Sequence, residues 1–124
     1  MTGFGLLEAS GFNLPNGANR SPDAAWISLE RWNLLTPEQQ EKFILLSPDF
    51  VIELRSKNDS LRILQAKMQE YINNGVRLGW LIDPQRKIVE VYRPNQNVEI
   101  LDSPQTLSAN SILPEFTLDF SEIF

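Results

Sequence analysis

The sequence predicts an α/β (α+β) domain: a mixed β-sheet with one long helix packed across it and a β-hairpin after that helix. Three stretches carry the prediction. FVIEL, residues 50–54, is a short, almost wholly apolar run of the kind buried strands show. Behind it, Leu61, Leu64, Met68, Tyr71 and Ile72 recur at the spacing that places side chains on one helical face. RLGWLID and KIVEVYR then follow as two strands around Pro84-Gln85-Arg86, the sequence signature of a hairpin.

The remaining elements follow in chain order. In GFNLPNGANR, the turn-forming series Pro15-Asn16-Gly17 joins two short strands. PDAAWI is a strand of about five residues, within the usual strand length. SLERWNLLTPEQQEKF holds one or two short helices, with Thr36 as N-cap and Pro37 in the first helical position, where its missing N–H costs nothing. Asn58, Asp59 or Ser60 caps the long helix, and Asn74-Gly75 ends it because glycine enters the left-handed region without a steric penalty. VEIL continues the meander, and LPEFTLDFSEIF ends the chain in a strand or extended segment followed by a short helical turn. At 124 residues with 42% hydrophobic side chains, the expectation is a single domain spanning 1–124 with a modest core.

Composition removes several chemistries. With no cysteine there is no thiolate nucleophile, disulfide or Cys-type zinc site, and with no histidine there is no Ser-His or Cys-His catalysis. Reaction chemistry must run on carboxylates, lysine, arginine or hydroxyls. No apolar run approaches the roughly 20 residues that span a bilayer, and the amino end lacks the layout of a signal peptide. The expectation is a soluble, cytoplasmic protein with no membrane partner. A net charge of -5 argues against a general nucleic-acid binder, which usually presents a basic face. Charge is uneven, however: residues 55–67 carry Arg55, Lys57, Arg62 and Lys67 against Asp59 alone.

The tripeptide Ser-Pro-Asp occurs twice, ending at Asp23 and at Asp49, each time before an apolar run. Alternation along FVIELRS places Val51, Glu53 and Arg55 on one sheet face and Phe50, Ile52 and Leu54 on the other. Glu53 is therefore a charge in an apolar strand, and such a charge must be paired or bound to a metal. Asp49 lies four residues away, roughly 13 Å at about 3.3 Å per residue, too far to share an ion with Glu53. A partner on an adjacent strand is required, and Asp23, followed by the small Ala24 and Ala25, fits. Lys67 lies at the edge of the sheet-facing side of the helix, from which its ammonium can reach back over the sheet.

The order Pro22-Asp23, Glu53-Leu54-Arg55, then a helical lysine resembles the PD-(D/E)XK nuclease superfamily, with Arg55 standing where the strand lysine is usual. GFNLPNGANRSPDAAWIS, PDFVIELRSKND, KMQEYINNGVRLGWLIDP, VEVYRP and LPEFTLDFSEIF together resemble the bacterial Uma family of restriction-endonuclease-like proteins, in which the lysine sits on the following helix. The resemblance covers roughly residues 11–124. It implies a restriction-endonuclease-like fold and a metal-dependent DNA endonuclease. Asp23, Glu53 and the Leu54 carbonyl would bind Mg²⁺ or Mn²⁺. Lys67 would orient or deprotonate the attacking water, and Arg55 would clamp a phosphate or pair with Glu53.

The resemblance also implies that the chain lacks the family's amino-terminal part. One sheet face would then be uncovered, and a homodimer or a complementing polypeptide would cover it. Structural readings stand beside the functional ones: Asp23 as a turn carboxylate, Glu53 in an ion pair with Arg55 or Lys67, Lys67 as an edge lysine with its charge in water, Asp49 in a turn and Asp59 as a helix cap. Trp26, Trp80 and Tyr92 are expected in the core or an interface. The alternative function is a catalytically inactive interaction module that keeps the nuclease-like fold.

Overall fold

The computed structural model describes residues 4–6, 11–40, 43–44, 46–109, 112–114 and 116–124. Its main sheet joins β1 (Phe4–Leu6), β4 (Ala24–Ser28), β6 (Phe50–Leu54), β7 (Leu78–Asp83), β8 (Ile88–Tyr92) and β9 (Glu99–Asp102), in that spatial order. Only β6 and β7 run parallel; every other neighbouring pair is antiparallel. A parallel pair needs a crossover, and helix α2 (Leu61–Asn73) provides it. The sheet is mixed for that reason, as the strand-helix-strand order predicted.

Helix α2 begins where Ser60 Oγ accepts the amide of Ile63, and its four buried residues are Leu64, Met68, Tyr71 and Ile72. It closes on Asn74, and Gly75 then takes φ +106°, the positive angle glycine adopts without strain. Against this helix face pack Val51, Leu81 and Tyr92 from the sheet. Phe12, Leu14 and Ile44 add to the same cluster from a small sheet of β2 (Gly11–Asn13), β3 (Asn19–Arg20) and β5 (Phe43–Ile44). The Pro15-Asn16-Gly17 turn connects β2 to β3 as expected.

The opposite sheet face buries Phe50, Ile52, Trp80, Ile82, Val89 and Val91. Trp26 stacks on Phe50 at 4.9 Å, Phe50 meets Trp80 edge-on at 4.9 Å, and Phe116 lies against all three rings. Phe116 belongs to a carboxy-terminal segment in which β10 (Thr106–Ser108) pairs with β11 (Thr117–Asp119), and Ala109, Leu113 and Phe120 complete this second cluster. The expectation of an uncovered sheet face is thereby corrected: α2 covers one face and the carboxy-terminal segment covers the other. The physical ground for expecting a homodimer or complementing polypeptide goes with it.

Two other expectations change. Among the described residues of the stretch assigned one or two helices, α1 (Leu29–Asn33) forms, and the helix expected to start at Thr36-Pro37 does not. Thr36 Oγ1 does accept from the amide of Gln39, and Gln39 Oε1 accepts from the amide of Thr36, but the turn does not propagate through residue 40. Glu41 and Lys42, at the end of that stretch, and Glu115 in the terminal one lie outside the described residues. The short strands β1, β5 and β10 have no counterpart among the expected elements, since two- and three-residue strands show no readable alternation.

Helix α2 comes close to the sheet at Gly79. A Cβ built there would lie 2.7 Å from Met68 Cε. Met68 is wholly buried, so Gly79→Val is expected to displace its terminal methyl into a filled core and to cost about 1–3 kcal/mol in chemical denaturation, the usual penalty for overpacking.

Candidate active site

β6 is a central strand whose burial pattern is four buried residues followed by exposed Leu54. Glu53 is one of the four, only 2% exposed, on the face that α2 covers. Three donors converge on its carboxylate. Lys67 Nζ lies 2.6 Å from Oε2, the Tyr71 hydroxyl donates to the same oxygen at 3.2 Å, and the Asp23 backbone amide donates to Oε1 at 3.0 Å. The helix supplies two of them because Lys67 and Tyr71 are four residues apart and so lie on one helical face.

Asp23 stands at the mouth of the same site, exposed, just before β4. Its Oδ2 accepts the amide of Leu54 at 2.7 Å. Strands β4 and β6 are thus laced at this end by a reciprocal pair of bonds: an Asp23 amide to the Glu53 carboxylate, and a Leu54 amide to the Asp23 carboxylate. The two acids expected to share a site are joined in this way. Asp49 is elsewhere, buried, accepting the Ser28 amide at 2.8 Å and paired with Arg31 at 2.9 Å and Arg77 at 3.7 Å. Asp59 caps the turn before α2 through Ser56, while the helix cap itself is Ser60.

Arg55 departs from expectation. β6 ends at Leu54, and Arg55 Nη1 pairs with Asp83 Oδ2 at 2.9 Å instead of turning toward Glu53. The register explains this. Leu54 stands opposite Ile82, so the next residue along each parallel strand is Arg55 and Asp83. Of the two ion pairs considered for Glu53, the one with Lys67 forms.

A further buried carboxylate on the helix-covered face, Glu90, is not among the residues singled out from the sequence. Glu90, 1% exposed, accepts from Gln65 at 2.9 Å, Arg86 at 2.7 Å and the Tyr92 hydroxyl at 2.7 Å, and Arg86 also reaches Asp83 at 2.5 Å. Glu53 and Glu90 both align with Leu81, one on each side, so they share the helix-covered face about two strand spacings apart, roughly 9–10 Å. Glu90 carries the signal that marked Glu53, a charge between apolar neighbours, here Val89 and Val91. Tyr71 was read as an apolar helix position, yet its spacing of four from Lys67 placed it beside that lysine from the start.

Burial pushes the Glu53 carboxyl above its ordinary value of 4.5; the hydrogen bond and charge of Lys67 and the Asp23 amide oppose that shift without cancelling it. Burial and then the neighbouring Glu53 charge drive the Tyr71 hydroxyl far above 10, so it remains a donor. Burial also acts against ionisation of Asp83, but hydrogen bonds from Arg86 and Arg55 outweigh it and hold that acid low.

The scan against family models matches residues 2–121 to Uma2, whose description reads "Putative restriction endonuclease". The chain belongs to the Uma2 family. Among solved structures, a "putative nuclease belonging to DUF820" from Anabaena variabilis superposes with a TM-score of 0.80 at 26% identity, covering 98% of this chain and 68% of that one. None of the curated proteins matches the chain. The fold is therefore nuclease-like, as its resemblance implied.

The donor set suits a hard cation in part. Asp23 and Glu53 offer carboxylate oxygens of the kind Mg²⁺ and Mn²⁺ prefer, whereas no group of three or more acidic side chains converges among the described residues. Water or substrate oxygens would have to complete the shell. The contact given by Leu54 is its amide to Asp23, so its carbonyl as a ligand stays an expectation from the resemblance.

The raised Glu53 carboxyl has a testable consequence without any metal. A native state that keeps a proton the unfolded chain releases loses stability as pH rises from about 4.5 through the raised native value. Glu53→Gln removes that loss. In EDTA, the melting temperature of Glu53→Gln relative to the parent should rise as pH is raised above about 4.5; a flat or falling difference would contradict the assignment.

Proposed function

We propose that this protein is a metal-dependent DNA endonuclease with Asp23, Glu53 and Lys67 as its active residues. One observation carries the proposal: the Lys67 ammonium is 2.6 Å from a buried carboxylate whose strand is interlocked with the exposed Asp23. Membership of Uma2 supports it independently.

Asp23 and Glu53 would hold Mg²⁺ or Mn²⁺, with the Leu54 carbonyl as a further oxygen ligand, and the ion would supply a water of lowered pKa and charge neutralisation at the phosphate. The chain's own groups do the rest. Glu53 is fixed by Tyr71 and by the Asp23 amide, so its carboxylate spends no ordering entropy when a cation arrives. Lys67 neutralises Glu53 at rest and, on moving aside, orients the attacking water. Water oxygen joins phosphorus, one P–O bond to sugar breaks, and the leaving oxygen takes a proton. Arg55, held by Asp83, presents a guanidinium at the end of the same strand for a neighbouring phosphate.

The second reading, an inactive interaction module, is favoured by the same Lys67–Glu53 bond, because the charge at Glu53 is already compensated within the chain. Nicking of supercoiled plasmid with Mn²⁺, alongside melting with and without Mg²⁺ or Mn²⁺, separates the two. The endonuclease reading expects nicking by the parent, none by Glu53→Gln or Lys67→Ala, and metal-raised melting in the parent and in Lys67→Ala but not in Glu53→Gln. Lys67→Ala should cost roughly 1–3 kcal/mol, since Glu53 keeps two of its three donors. No nicking by the parent and no metal shift would leave the module.

A further inference from the structure

Beside Lys67 lies a cleft of about 590 Å³ that the site chemistry leaves unused. One wall is the segment Asn19-Arg20-Ser21, which leads within three residues to Asp23; the other is the outer flank of α2, with Ile63, Ala66, Lys67 and Glu70. Across it, Arg20 Nε donates to Glu70 Oε1 at 2.5 Å, with the Arg20 side chain 37% exposed. Lys67 and Glu70 are three residues apart, so their Cβ atoms are about 5–6 Å from each other, and both line the cleft that Arg20 borders from the other wall. Ile63 is 69% exposed and stands one turn before Lys67. Two cations beside an apolar ledge match the repeating phosphate and sugar of a nucleic-acid strand.

We propose that this cleft seats the DNA phosphate next to the scissile one, that Arg20 binds it, and that Glu70 is a resident stand-in whose carboxylate holds Arg20 until the phosphate displaces it. The proposal rests on the endonuclease reading. Glu70 also accepts from Asn16 Nδ2 at 3.2 Å, so the rival account is a plain brace between the β2–β3 turn and α2. The two accounts differ in sign for one variant. A brace is weakened by Glu70→Gln, whereas a stand-in competes with substrate, so removing its charge releases Arg20 and favours binding.

The test is Mn²⁺-dependent cleavage of an end-labelled DNA duplex, with KM and kcat measured over a salt series. Arg20→Ala should raise KM about tenfold with a much smaller change in kcat, and should lessen the slope of log kcat/KM against log salt by about one phosphate contact. Arg20→Lys should recover part of the loss, and Glu70→Gln should lower KM. If Arg20→Ala melts early, the Arg20→Lys and Glu70→Gln results decide. An unchanged KM in Arg20→Ala, or a raised KM in Glu70→Gln, overturns the subsite while a cleaving parent and silent Glu53→Gln keep the endonuclease. A parent that cleaves nothing removes both.

Discussion

A carboxylate in the buried face of a central strand is the constraint around which this protein is arranged. Left alone, an ionised Glu53 would cost several kcal/mol in desolvation, and neutralising it by protonation would forfeit whatever the charge is for. The chain meets that cost with three donors drawn from three places: Lys67 and Tyr71 on α2, and the backbone of Asp23 ahead of β4. None of these is local to Glu53 in sequence. The carboxylate therefore ties the crossover helix and the neighbouring antiparallel strand to β6 at a single point, and the packing of those elements is coupled to the state of that one side chain.

The same solution recurs at Glu90. There Gln65 from α2 meets a carboxylate on β8 while Arg86 links it to Asp83 and, through Asp83, to Arg55. Gln65 and Lys67 sit on opposite flanks of the ridge formed by Leu64 and Met68, as a helix turning 100° per residue requires. Helix α2 thus carries an apolar keel with a polar contact on each side. The two differ in access. Glu90 is closed in by donors, whereas Glu53 adjoins the exposed Asp23 and the cleft beside Lys67, which is why chemistry is assigned there and structure to the other.

Much of this was legible because periodicity is local. The spacing of Leu64, Met68 and Tyr71 fixed the helix face, the alternation in FVIEL fixed the side on which Glu53 points, and the hairpin around Pro84 followed from turn chemistry. What escaped depends on register between strands. Arg55 was placed with Glu53 by extending the alternation one residue too far, and only the pairing of β6 with β7 shows that Asp83 is its neighbour. The covering of the second sheet face escaped for the same reason: Phe116 and Phe120 find Trp26, Phe50 and Trp80 through contacts that no spacing rule encodes.

The diversion of Arg55 bears on why the cation that meets Glu53 lies on a helix. Arg55, just past the carboxy end of β6, is paired with Asp83, and Asp83 is itself fixed by Arg86, so the end of this strand cannot bring a cation to Glu53. Lys67 can, because its stem crosses the edge of the helix and its partner Glu53 retains two other donors when the ammonium moves. The reach of that stem is measured from a helix that packs closely on the sheet, where the buried Met68 methyl lies over Gly79.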